Sequence, residues 1–239
     1  MPKILPSDKK VLLLHPKIIE METKQFKAAL FDLDGVVFDT EPQYTKFWGA
    51  QCREFRPDYP GLEHAIKGQT LCEILENYFG GELASKHSLI IERLNAFEKT
   101  MDFIYVKDFE RFVKELRSNG IKTAVVTSSN LDKMNSVFQK CEGFRGLFDA
   151  ILTSEDFERS KPDPDCYIKA AQRFDVQKEE CIVFEDSFNG LKSGKAAEMK
   201  VVGLSTTNSK EAIAKYSDIV ISDYTAFGFN DCKTLISKL

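Results

Sequence analysis

Residues 26–40 read FKAALFDLDGVVFDT, and this stretch decides the fold. Ala28 to Asp32 is a short apolar run that ends in an acid, with Gly35 close behind it. That is the pattern of a buried strand running out into a polar loop. The next run of the kind comes only at Ile121 to Thr127 (IKTAVVT). Others then follow regularly at Ala150 to Thr153, Cys181 to Phe184, Val201 to Leu204 and Ile219 to Ile221.

Helical stripes separate the later runs. Phe109, Phe112, Val113 and Leu116 follow the i, i+3, i+4, i+7 spacing, and Asn119-Gly120 closes that helix. Tyr167, Ala170, Ala171 and Phe174 repeat the spacing after Pro164, a helix-opening proline. Strands alternating with helices imply an α/β fold, a parallel sheet with helices on both faces. Between the first two strands, residues of about 41–105 contain no β-run. They carry stripes at Ile74, Leu75, Tyr78 and Phe79 and at Leu89, Ile90, Leu94 and Phe97. A structureless loop of that length is improbable inside a compact domain, so an inserted helical unit is expected there.

Composition narrows the function classes. An apolar share of 43% beside 29% charged residues describes a soluble globular chain. A net charge of −4, with no long basic run, excludes the electrostatic footprint of a nucleic-acid binder. The six cysteines form no CxxC or other zinc-like spacing and read as free thiols in a reducing compartment. Val11 to Leu14 is too short for a signal-peptide core, and no apolar run approaches the roughly 20 residues that span a bilayer. A cytoplasmic location with no membrane partner is the expectation. Residues 1–25 read as an N-terminal extension.

Open parallel sheets bind ligands beyond the carboxyl ends of their strands. Read in order, those ends offer Asp32-Leu33-Asp34-Gly35, then Thr127-Ser128-Ser129, then Ser160-Lys161-Pro162-Asp163-Pro164, then Glu185-Asp186-Ser187. Any one of these is an ordinary solvated strand end or helix cap. Together they place acid, hydroxyl, cation and acid around one rim, a set suited to phosphoryl transfer. Asp32 and Asp186 are hard oxygen donors of the kind Mg²⁺ takes, and Mg²⁺ offsets repulsion between a carboxylate and a phosphate. Lys161 adds positive charge where transferring oxygens gather, and Thr127 offers them a hydrogen bond. Asp34 is placed to protonate a leaving oxygen and then to deprotonate water. A covalent aspartyl-phosphate on Asp32 would divide the reaction into two easier halves.

FDLDGVVFDT (31–40), VVTSS (125–129), SKPDP (160–164) and FEDS (184–187), in that order, resemble the haloacid dehalogenase superfamily of aspartate-nucleophile phosphotransferases. The resemblance runs from about Phe26 to Phe227. It implies a Rossmann-like core, residues 26–40 and 106–239, with residues 41–105 as a mobile helical cap domain. It also implies Asp32 as nucleophile, Asp34 as acid and base, and Thr127, Ser128 and Lys161 as phosphate holders. Mg²⁺ would lie on Asp32, Asp186 and the Asp34 backbone carbonyl, with Glu185 contributing directly or through water. A dehalogenase is not implied, because such members lack the second acid that Asp34 supplies.

KELRSNGIKTAVVTSS (114–129) and the EDSFNG turn (185–190) are similar to the β-phosphoglucomutase-like branch. Two cap positions depart from the mutases. Tyr44 stands where they carry a histidine that engages Asp34, and Leu71 stands where they carry an arginine for the second phosphate of a bisphosphate. The DTEP stretch (39–42) looks like the sugar-phosphate phosphatases of the branch. The reading is therefore hydrolysis of a small phosphorylated metabolite, with a phosphohexomutase as the alternative. Glu41, Lys67 and Gln69 are expected to face the substrate, with Tyr44 nearby, Gly68 as a hinge and Trp48 in the cap core. His15, His64 and His87 lie outside the motifs and carry no chemistry. A phospho-aspartate signalling or binding module is the rival class, but it would have no use for a cap-sized insertion. The branch is often monomeric, and a monomer is expected.

Overall fold

The computed structural model describes residues 25–67 and 69–237. Apart from Gln25, the expected N-terminal extension lies outside the described residues, as does Gly68. The strands are β1 (Ala28–Phe31), β2 (Lys122–Val126), β3 (Ala150–Leu152), β4 (Cys181–Glu185), β5 (Lys200–Leu204) and β6 (Ile219–Ile221). They form one parallel sheet in the order β3-β2-β1-β4-β5-β6. The chain thus builds outward from β1 on one side and then returns to its other side with β4. The point of reversal, between β1 and β4, is where open sheets of this kind leave a crevice for a ligand.

Helices α1 (Glu41–Phe55), α2 (Leu62–Ala65), α3 (Leu71–Tyr78) and α4 (His87–Thr100) fill the stretch between β1 and β2. The sheet is flanked by α5 (Phe109–Ser118), α6 (Leu131–Lys140), α7 (Asp165–Arg173), α8 (Phe188–Ala196), α9 (Lys210–Ile213) and α10 (Phe229–Ser237). Alternation along β1 sorts the core into two layers. Ala29 and Phe31 join α5, α6 and α10 through Phe112, Leu116, Met134, Val137 and Ile236. Ala28 and Leu30 face the other way, onto Tyr167, Ala170 and Leu191 of α7 and α8. Phe31 and Phe184 stack at 4.6 Å under the end of the crevice.

The insert has its own apolar cluster, built on Trp48, Leu62, Ile74, Leu75, Phe79, Ile90 and Leu94, so it is a helical cap and not a loop. A capping box at Thr70 and Glu73 starts α3. Trp48 is buried in this cluster, as expected. Leu89 is not: it is 37% exposed, because it lies about 100° around α4 from Ile90. Glu98 occupies the buried face one turn beyond Leu94 instead. The two segments joining cap to sheet run side by side. Asp39 N–H donates to Ile104 O at 2.8 Å and Val106 N–H to Val37 O at 2.9 Å. Among the described residues no helix is long and apolar enough to cross a membrane.

Candidate active site

Register places the acids. Phe31 pairs with Phe184, so Asp32 leaves β1 beside Glu185, and Asp32 N–H donates to Phe184 O at 3.0 Å. Thr127 leaves β2 next door, its N–H on Leu152 O at 3.0 Å. Lys161 comes from the long connection after β3 and is 2% exposed. Its ammonium donates to Asp32 Oδ1 at 2.6 Å, Glu185 Oε1 at 2.7 Å and Val126 O at 2.9 Å. A buried ammonium needs such partners, since an unpaired one would cost several kcal/mol in lost hydration.

Glu185 is fully engaged. Oε1 also accepts from Tyr167 Oη at 3.0 Å, and Oε2 accepts from Asp186 N, Ser187 N and Ser187 Oγ at 3.0, 3.2 and 3.2 Å. A direct bond from Glu185 to a cation would have to displace one of these. Close packing around it requires glycine at position 190, where a Cβ would lie 1.7 Å from Oε1. Gly35 is required for two reasons: its φ is +73°, and a Cβ there would lie 2.1 Å from Asp186 Oδ2.

Asp186 receives the Thr207 hydroxyl on Oδ2. Asn208 Nδ2 holds its backbone carbonyl at 3.0 Å, and Thr206 Oγ1 holds Gly35 O at 2.6 Å. The loop after β5 thereby ties the two acidic loops together. Burial pushes the Asp32 carboxyl up to about 7 from the usual 3.8; Lys161 opposes the shift, while Glu185 and Asp34 add to it. Burial also drives Asp186 well above the carboxylate range, helped by Glu41, Glu185 and Asp32. Burial acts against the Lys161 charge, but Asp32 and Glu185 outweigh it and keep the ammonium. One oxygen each from Asp32, Glu185 and Asp186 lies within 4.8 Å of the others. Three crowded, desolvated carboxylates facing one ammonium fit a hard divalent cation such as Mg²⁺, which takes oxygen donors and would relieve their repulsion.

These residues open onto a pocket of about 550 Å³ between sheet and cap, which Asp32, Asp34, Thr127, Ser128, Lys161 and Asp186 line from the sheet side. The Ser128 hydroxyl is buried without a partner, whereas the Thr127 hydroxyl accepts from Ser129 N at 3.0 Å. Glu41, Tyr44, Lys67, Gln69 and Leu71 line the pocket from the cap side. Lys67 Nζ lies 2.9 Å from Glu41 Oε2, an ion pair without hydrogen-bond alignment. Burial raises the Glu41 carboxyl, with Lys67 opposing. Gln69 is spent within the cap, donating to Ala65 O at 3.0 Å and Tyr78 Oη at 3.1 Å. His87 bonds the backbone of Phe79, His64 stands beside Glu63, and neither histidine is among the residues that line the pocket.

Asp34 has neighbours the motifs do not reveal. Thr40 Oγ1 donates to its Oδ1 at 2.5 Å, and Ser129 Oγ and Lys133 Nζ donate to its Oδ2, the serine at 3.3 Å. Tyr44 does not reach it; its hydroxyl turns to Glu98 Oε1 at 2.8 Å, and its ring lies 4.6 Å below the Lys133 ammonium. Tyr167 was legible only as a stripe residue, and its hydroxyl is what reaches the site. For Lys133 and Glu98, the one sequence signal is a charge at a helical position that the apolar period assigns to the interior.

Comparison with known proteins shows the family. Residues 26–198 match the family model described as haloacid dehalogenase-like hydrolase. Validoxylamine A 7'-phosphate phosphatase of Streptomyces hygroscopicus subsp. limoneus is 28% identical, over 84% of this chain and 95% of that protein. Fructose-1-phosphate phosphatase YqaB of Escherichia coli (strain K12) is also 28% identical, over 75% of this chain and 96% of its own. The crystal structure of a β-phosphoglucomutase from Clostridium difficile superposes with a TM-score of 0.74 at 20% identity, covering 89% of this chain and 97% of that one. With its sheet order, its acid-lined crevice and a family match across most of its length, this chain belongs to the haloacid dehalogenase-like hydrolases.

Proposed function

We propose that this chain is a Mg²⁺-dependent phosphatase that hydrolyses a small phosphorylated metabolite, a sugar phosphate, through an aspartyl-phosphate on Asp32. The observation that carries the proposal is the Lys161 ammonium between Asp32 and Glu185 at the sheet's switch point, with Asp186 alongside. Asp32 attacks phosphorus while the ester oxygen departs with a proton from Asp34. Water then attacks the phosphorus of the acyl phosphate and gives a proton to Asp34. Phosphate leaves and the Asp32 carboxylate is restored. Lys161, Thr127 and the free Ser128 hydroxyl hold the phosphoryl oxygens, and Glu185 keeps Lys161 in line. The Asp32 and Asp186 carboxylates and the Asp34 carbonyl are the donors for Mg²⁺, which supplies charge neutralisation when bound. Residues 41–105 act as the cap, with Glu41 and Lys67 toward the substrate.

A mutase needs a grip on a second phosphate, and the pocket favours hydrolysis on this point. Its described lining residues include no arginine. With Lys161 committed to the first phosphate, the lysines left, Lys67 and Lys133, are each paired with a carboxylate. Leu71 offers no charge. The two phosphatase relatives are named for compounds carrying one phosphate. The test is incubation of the purified protein with a panel of sugar phosphates, with EDTA and Asp32→Asn as controls. Many phosphates released per chain, abolished by both controls, is the expected result. No more than one per chain would reinstate the phospho-switch reading. Conversion of β-glucose 1-phosphate to glucose 6-phosphate, given a catalytic bisphosphate, would make it a mutase.

A further inference from the structure

Lys133 is a buried cation that the reaction just described leaves unused. It sits in the first turn of α6, its backbone N–H fixed on the Asn130 side chain at 3.0 Å. Its side chain is 3% exposed. An ammonium buried to this degree is retained only with partners. These are Asp34 Oδ2 on the sheet side and the face of Tyr44 on the cap side. Thr40 holds the other oxygen of Asp34. Asp34 is thus fixed at both oxygens by groups that belong to the sheet or to the segment entering the cap, and Tyr44 closes over the far side of the ammonium. The Tyr44 hydroxyl carries the chain of contacts to Glu98 on α4.

We propose that Lys133 is the positioning residue for Asp34, fixing the carboxyl group where it meets the departing ester oxygen. The inference rests on the reading of Asp34 as the acid. General acid catalysis contributes roughly 10²–10⁴-fold and depends on hydrogen-bond reach to the leaving atom. An alkyl ester needs that proton, because its alkoxide is a poor leaving group. p-Nitrophenyl phosphate does not, because its phenolate leaves unassisted. A residue that merely stabilises the fold would affect both esters alike.

The experiment measures kcat/KM for fructose 1-phosphate and for p-nitrophenyl phosphate with the full chain and Mg²⁺. This parameter covers steps only up to departure of the alcohol, and the ratio of the two values cancels the active fraction of each preparation. Lys133→Met is expected to lower the value for fructose 1-phosphate by about 10- to 100-fold and that for p-nitrophenyl phosphate by less than about threefold. Lys133→Gln is read by the same ratio if the methionine variant does not fold. An unchanged ratio, whether both values fall or neither does, overturns the proposal. Asp34→Asn separates the two levels of inference. If it too leaves the ratio unchanged, the assignment of Asp34 as acid fails. If it shifts the ratio and the Lys133 variants do not, only the role of Lys133 fails.

Discussion

Replacing Gly190 with alanine should break the support of Lys161 without touching a catalytic group. The new Cβ would lie 1.7 Å from Glu185 Oε1, 1.9 Å from Cδ and 2.2 Å from Oε2. The carboxylate cannot simply swing aside, because Lys161, Tyr167, the Asp186 and Ser187 amides and the Ser187 hydroxyl all hold it. Overpacking of a tight interior costs about 1–3 kcal/mol. Breaking a buried ion pair costs about 3–5 kcal/mol, and the low end applies because Lys161 keeps Asp32 and Val126 O. Alanine returns about 1 kcal/mol as a better helix former than glycine. The net destabilisation is about 3–5 kcal/mol, or a fall in Tm of roughly 6–20 °C for a chain of this size. Thermal and urea unfolding followed by circular dichroism would measure it, with phosphatase turnover read in parallel. Gly146→Ala is the control, since a Cβ there would meet nothing within 4 Å beyond its own neighbours along the chain, and it should change little. A Gly190→Ala protein as stable and active as the parent would refute the view that Glu185 is locked against Lys161.

Other outcomes follow from the same cluster. With the carboxyl of Asp32 near 7 against an ordinary 3.8, the metal-free folded protein holds a proton there that the unfolded chain releases. Its stability should therefore fall as pH rises from about 4 to about 7. Mg²⁺ would have to displace that proton and the one that burial favours on Asp186, so its apparent affinity at pH 5.5 should be weaker than at pH 8 by at least roughly 30-fold. A Mg²⁺-induced rise in Tm as large at pH 5.5 as at pH 8 would contradict this. Tyr167→Phe removes one donor from a buried carboxylate and should cost about 1.5–3 kcal/mol by urea denaturation, while turnover stays within a few-fold because Lys161 remains on Glu185. Complete loss of turnover in a folded Tyr167→Phe protein would give the tyrosine a larger role than the geometry does.

The parts of the molecule legible in its sequence are those where one local rule decides. Strands covered on both faces must be continuously apolar, so β1, β4 and β5 announce themselves, and the acids at their ends mark the rim. The sheet order is not local: nothing in Cys181 to Glu185 says that β4 returns to the free side of β1. Lys133, Glu98 and Tyr167 escaped for a related reason. Each is polar at its tip and helical in its spacing, and its partner lies far away in sequence. Leu89 shows the reverse error, an apolar side chain counted into a stripe that the helical period turns outward.

The paired segments at the base of the cap, joined by Asp39 to Ile104 and by Val37 to Val106, have a consequence for ancestry. Because the excursion leaves and re-enters the sheet at neighbouring points, its length is free to vary by insertion or deletion without altering strand registry. Exchange of the chain at this doorway would replace the helical side of the pocket and leave the rim of Asp32, Thr127, Lys161 and Asp186 intact. Such an architecture would let the helical side change as one module while the sheet side stays fixed.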